Sequence, residues 1–365
     1  MSRVDFDQGL KMGLGWNLRN MNLIGIWPEP SRTDERCSNF KTLFYLTVII
    51  FFGPVPQSMN LFFIWDDLEL VTENLSIANI PGINAVIKLF IAWRHRETFK
   101  PIMKSFYDDW RRPKTEEERA MMSDRAKSAQ FISVWCSVLT LAMVTVYLSL
   151  RAFSIYQSDR LNERQDRLIL YPGYVPYNVR PVPVLLLTNL GQVVAAYSAV
   201  ICYTTVDTFI AMLVMHLCGQ FQILRKKVQR LMGDKRGSRS ADEIRKELTW
   251  IVKRHEHLNW FATKIEDCFS VLLLIQILLC TVVICFQGFL FFNSKEIGNS
   301  AYESNWFDVS PPEAKYILFI MHRSNRPLSL TAGKFSIFSM EMFSTVRATS
   351  QFNITRFIIF QKIIQ

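Results

Sequence analysis

Charge is what this sequence has little of, and what it lacks it lacks in blocks. Only 20% of its 365 residues are charged, against about a quarter in a soluble globular protein. Thr42–Trp65, Ser128–Leu150, Pro181–Val206 and Cys268–Ser294 carry no charge, and Asn74–Trp93 carries only Lys88. Soluble helices seldom stay uncharged beyond about 20 residues, so these blocks exclude a soluble core and read as membrane spans. Cysteine is placed poorly for bridging. Cys136, Cys202, Cys218, Cys280 and Cys285 lie in spans or at their ends, Cys268 begins one and Cys37 precedes the first. No disulfide framework is expected. There is no CxxC pair or His/Cys cluster, and no glycine-rich phosphate loop, GxSxG or HExxH. Metal sites, cofactors and enzymatic catalysis are therefore not expected. Residues 1–41 lack an apolar run of signal-peptide length, so no cleaved leader is expected.

What is present is organised around residues 184–231. Val184–Leu224 holds one formal charge, Asp207, and then runs into basic Arg225, Lys226 and Lys227. If helical throughout, this stretch is about 70 Å long, more than twice a bilayer core of about 30 Å. It crosses a membrane and continues into water on the basic side. The whole chain reads as an all-α, polytopic transmembrane helical bundle.

The expected order is an N-terminal segment (1–39), then spans at about 40–65, 75–93, 129–153, 184–217 and 268–293. Loops 94–128 and 225–267 connect the second span to the third and the fourth to the fifth. A mixed segment (294–334) follows, and a last, more charged apolar segment (335–365). Gly53, Pro54 and Pro56 are expected to kink the first span. Residues 94–127 hold ten Lys/Arg against seven acids, and 225–267 hold twelve against seven. The loop 151–180 holds five, and 66–73 none beside four acids. The positive-inside rule puts both base-rich loops and the N-terminus in the cytoplasm. Nucleic acid is not an expected partner despite the net charge of +10, because the bases flank spans. Membrane lipid is. The sequon at Asn74 would face out, as a candidate glycosylation site. The Pro- and Tyr-rich Tyr171–Pro183 is either a rigid lid or a plain connector.

Asp207, near the inner end of the fourth span, suits a structural hydrogen bond better than an ion site. His216 is expected to hydrogen-bond between helices. Lys88 is expected to snorkel to the surface.

Four groups of residues resemble one family. They are LIGIWP (Leu23–Pro28), Asp207 followed by HLCGQFQIL (His216–Leu224), EDCFS (Glu266–Ser270) with CFQGF (Cys285–Phe289), and YESNWFD (Tyr302–Asp308) with the stretch Phe319–Val346. On these the chain resembles the insect odorant receptors, as a ligand-specific subunit. The resemblance implies a seven-span bundle with its N-terminus inside, of which about six spans are visible. It implies a cation channel, opened by small volatile odorants and formed as a hetero-oligomer (tetrameric in the family) with a common co-receptor. It also implies residence in the cell membrane, in dendrites of olfactory neurons. Asp207, His216, Gln220, Pro327 and Gly333 match structural positions of the family's motifs, and 294–334 matches its assembly segment.

Two departures accompany the resemblance. Phe289–Ala301 joins CFQGF directly to YESNWFD, so about one span and its outer loop are missing. The last helix diverges after Val346, putting Thr349, Ser350 and Arg356 at the pore, with Arg356 where the family has an apolar gate. An incomplete, non-conducting isoform is thus one alternative, and a gustatory-type chemoreceptor another. A G-protein-coupled receptor would need DRY and NPxxY motifs and the opposite sidedness, and a transporter internal repeats. A volatile ligand needs an apolar pocket. The i,i+4 pairs Ile83 and Ile87, Met143 and Tyr147, and Tyr197 and Ile201, in the outer halves of the second, third and fourth spans, are the candidate ligand contacts.

Overall fold

The computed structural model describes residues 3–27, 32–160, 169–179, 181–233, 240–304, 306–307, 310–324, 331–332 and 336–337. The chain divides into two units, Met1–Val283 and Ile284–Gln365. The first holds helices α1 (Arg3–Ile24), α2 (Arg32–Phe52), α3 (Pro54–Ile64) and α4 (Leu68–Asn74), then a π-turn (Leu75–Asn79). It continues with α5 (Ile80–Arg94), α6 (Arg96–Arg111), α7 (Glu116–Arg160) and α8 (Val182–Gly233). Helix α9 (Ala241–Glu303) begins in the first unit and ends in the second. The second unit also holds α10 (Pro311–Ser324) and strands β1 (Thr331–Ala332) and β2 (Ser336–Ile337), which pair antiparallel.

Among the described residues, five stretches are long and apolar enough to cross a membrane. They are Glu35–Ile64, Leu70–Arg94, Glu116–Gln157, Val182–Leu231 and Ala241–Phe286. The described residues form a nearly all-helical membrane bundle, β1 and β2 being the exception.

Local chemistry sets the helix ends. Gly53 and Pro54 split the first span into α2 and α3, because Pro54 has no N–H to donate. Thr115 and Glu118 form a reciprocal capping box at the start of α7, at 3.2 and 3.3 Å. The Ser240 N–H donates to Glu243 at the start of α9, and Ser310 to Glu313 at the start of α10. Helix α1 ends in a Schellman turn. The Ile26 N–H donates to the Met21 carbonyl at 3.1 Å, and Gly25 takes φ +76°. Ser38 and Thr42 of α2 donate to the carbonyls of Gly25 and Ile24 at 2.7 and 2.9 Å. The Ile24–Ile26 part of the LIGIWP motif is therefore a clasp between α1 and α2.

Helix α8 is the hub, packing against α1, α2, α5 and α7. Phe99, Phe209 and Phe269, from α6, α8 and α9, form an aromatic cluster with ring centroids 5.4–6.2 Å apart. The segments 94–128 and 225–267 are not loops where described. Helix α6 buries Phe99, Ile102, Met103, Phe106 and Trp110 on one stripe, at the spacing of an amphipathic helix. Helix α7 begins at Glu116, and α8 and α9 fill 225–233 and 241–267.

Candidate functional site

Three polar stations lie along α8. From Gln192 to Asp207 is about 22 Å along the axis, and from Gln192 to His216 about 36 Å.

At the first station the irregular segment 169–179 is fastened to the bundle. Gln192 accepts from the Tyr171 N–H at 3.0 Å and donates to the Tyr171 carbonyl at 3.1 Å. Asn189 accepts from the Leu170 N–H, and Arg151 of α7 donates to the Leu170 carbonyl. The Tyr174 N–H donates to the Pro56 carbonyl at 2.9 Å, and the Tyr174 ring stacks on Phe63 of α3. These ties satisfy backbone groups that would otherwise be orphaned.

Beneath this segment lies a partly open cavity of about 120 Å³, close to the size class that takes up a benzene ring. Helix α3 lines it with Gln57, Asn60 and Ile64. The α4–π-turn stretch adds Glu73, Asn74 and Ile77. Tyr147 of α7 lines it as well, stacked on Tyr171 at 5.3 Å, and Pro172 completes the wall. Burial, with Tyr147 and Tyr197 nearby, raises the Tyr171 hydroxyl well above the usual tyrosine range, so it stays neutral.

Of the six candidate ligand contacts, Tyr147 alone lines this cavity. Tyr197 packs behind it with Leu148, Leu170 and Tyr171, its hydroxyl 2.8 Å from Thr145 Oγ1. Met143 is 73% exposed. Four residues turn a helix by about 400°, so Met143 points about 40° away from Tyr147. Ile83 and Ile87 are half-buried on α5, and Ile201 packs on the main core. Asn74 is half-buried within the helix, and its Oδ1 accepts from Asn79 at 3.4 Å. Gln57, Asn60, Glu73, Ile77 and Pro172 were not foreseen. Pro327, Gly333, Thr349, Ser350 and Arg356 lie outside the described residues.

The second station is a buried ion pair. Lys88 of α5 is 0% exposed. Its Nζ donates to both Asp207 oxygens at 2.7 Å and lies 3.2 Å from the Tyr203 ring centroid. Gln276 of α9 donates to the Tyr203 hydroxyl at 3.2 Å. Lys88 therefore does not snorkel. Its ammonium is held instead by both oxygens of the Asp207 carboxylate.

The third station explains HLCGQF. His216 and Gln220 are one turn apart and face the same network. Asp109 of α6 sits 3.1 Å from His216 Nε2 and accepts from Arg254 of α9 at 2.6 Å. Arg254 also donates to Gln220 at 2.8 Å. The His216 ring lies 4.4 Å from that of Phe106. Burial would raise the Asp109 carboxyl, but His216 and Arg254 outweigh it and hold it below the usual carboxylate range. Below this network, Glu117 pairs with Lys226 and Arg230, and Glu118 with Lys227, joining the start of α7 to the end of α8.

Residues 68–293 and 290–350 match the family described as 7tm Odorant receptor. The chain belongs to the odorant receptor family. It is 21% identical to Odorant receptor 13a of Drosophila melanogaster, over 90% of this chain and 91% of that one. It is 23% identical to Odorant receptor 9a of the same fly, over 88% and 89%. Its fold is similar to that of the insect olfactory receptor OR5 from Machilis hrabei. There the TM-score is 0.56 at 12% identity, covering 96% of this chain and 98% of that one. The two family matches overlap at 290–293, where this odorant receptor joins CFQGF to YESNWFD. Its α9 runs through that junction as one helix.

Proposed function

We propose that this odorant receptor is a ligand-specific subunit. It binds a small volatile, largely apolar molecule and, together with a common co-receptor, opens a cation-conducting pore. The cavity walled by Tyr147 and the fastened Tyr171 carries the reading, since it offers a ring-sized space with an aromatic wall. Ligand binding acts by favouring the open state through differential affinity. The N-terminus is inside, by the excess of Lys and Arg in 94–127 and 225–267. The working location is the dendritic membrane of olfactory neurons.

Co-expression with the co-receptor tests this. Volatile alcohols, ketones and esters are applied, and current is recorded against cells holding the co-receptor alone. An odorant-evoked cation current that Tyr147→Ala weakens supports the reading. Surface-delivered receptor that never yields current beyond the co-receptor control refutes it.

A second reading, a non-conducting isoform, is favoured by one observation. The uninterrupted helix from Cys285 to Tyr302 leaves no room for a further span and outer loop. That product would lower the current of a complete receptor when co-expressed in excess.

A further inference from the structure

We infer that the cavity under Tyr171 selects a compact ring-bearing alcohol, whose hydroxyl donates to Gln57 Oε1, over the ketone or ester of the same shape. This rests on the reading of that cavity as the ligand site.

Gln57 lines the cavity, is 3% exposed, and its Oε1 is a buried acceptor without a partner. Among the described lining residues it is the one buried side chain so left. A buried orphan acceptor is costly, and a donor brought to it recovers the bond. The charged group in the lining points the same way. Glu73 accepts, and among the described residues no Lys, Arg or His lines the space. The Asn74 oxygen already accepts from Asn79. The stacked rings of Tyr147 and Tyr171 form a flat wall that suits a ring, leaving the hydroxyl to reach α3. A ketone in the same pose sets its oxygen against the Gln57 oxygen. Sites built to bond a hydroxyl reject the analogue that lacks it far more strongly than apolar pockets reject a change of size.

The test uses the purified full chain in detergent. Thermal stabilisation is titrated with 1-phenylethanol and with acetophenone, which share a skeleton and differ at the oxygen. The alcohol is expected to bind at least about ten-fold more tightly. Gln57→Leu should abolish that ratio while acetophenone still binds, and Gln57→Met serves if the leucine variant does not fold. Equal binding of the two, tighter ketone binding, or a ratio that both variants leave unchanged overturns the inference. The odorant currents above separate the two ideas. With currents present and no alcohol preference, the receptor reading stands and donor selection falls. If neither compound binds up to the millimolar range, the cavity is not the ligand site and the inference falls with it.

Discussion

Lys88 and Asp207 should prove strongly coupled and almost dispensable together. At 2.7 Å and an effective dielectric near 20, their attraction is about 6 kcal/mol. Dehydrating two charges costs several kcal/mol each, so the pair is close to neutral overall. Breaking it is another matter. Asp207→Leu strands an ammonium that is 0% exposed, and should cost about 3–5 kcal/mol. Lys88→Met strands a carboxylate whose side chain is 31% exposed and can still hydrate, and should cost less. The double variant should recover most of the loss. The assay is a double-mutant cycle on apparent Tm of purified protein, where the Asp207→Leu drop should be on the order of 10 °C. Additivity of the two single variants within about 0.5 kcal/mol would refute the reasoning. So would Lys88→Met proving the more damaging change.

Three further outcomes follow from the geometry. Gly25→Ala should cost about 2–4 kcal/mol in thermal stability, since Gly25 sits at φ +76° and an added Cβ would lie 2.2 Å from the Ser38 carbonyl; wild-type stability would remove the clasp. Asp109 has a folded pKa below its unfolded value of about 3.9, so its contribution is full above about pH 4 and is lost as pH falls through the folded value. Asp109→Asn should therefore be less stable than wild type by about 2–3 kcal/mol at pH 7, with the gap closing in acid, and a gap independent of pH would show the carboxylate to be unused. Gln192→Leu unpairs both backbone groups of Tyr171, and limited proteolysis should then cut within 169–179 several-fold faster.

The spans were legible because lipid demands long uncharged helices, and that demand is written residue by residue. The central helix was legible for the same reason, from Pro183 to the basic Arg225–Lys227. The amphipathic α6 was signalled by Phe99, Ile102, Met103, Phe106 and Trp110, but its charge masked it as a loop. The partner of Lys88 was hidden by distance along the chain, since Asp207 lies 119 residues away. The cavity was hidden by register. Gly53–Pro54 interrupts one wall and the π-turn another, so i,i+4 spacing counted along α5, α7 or α8 does not find Gln57, Asn60 or Glu73.

The π-turn has a mechanical meaning. Its Ile80 N–H reaches back five residues to Leu75, not four. It therefore stores one surplus residue between the cavity wall at Glu73 and Asn74 and the anchored Lys88. Letting that surplus slip toward one end of the helix would rotate the wall by about 100° about its own axis while the anchor stays put. A rotation of this wall would then need no bend and no broken ion pair: the helix could work as a screw, turning the cavity wall against a fixed thread.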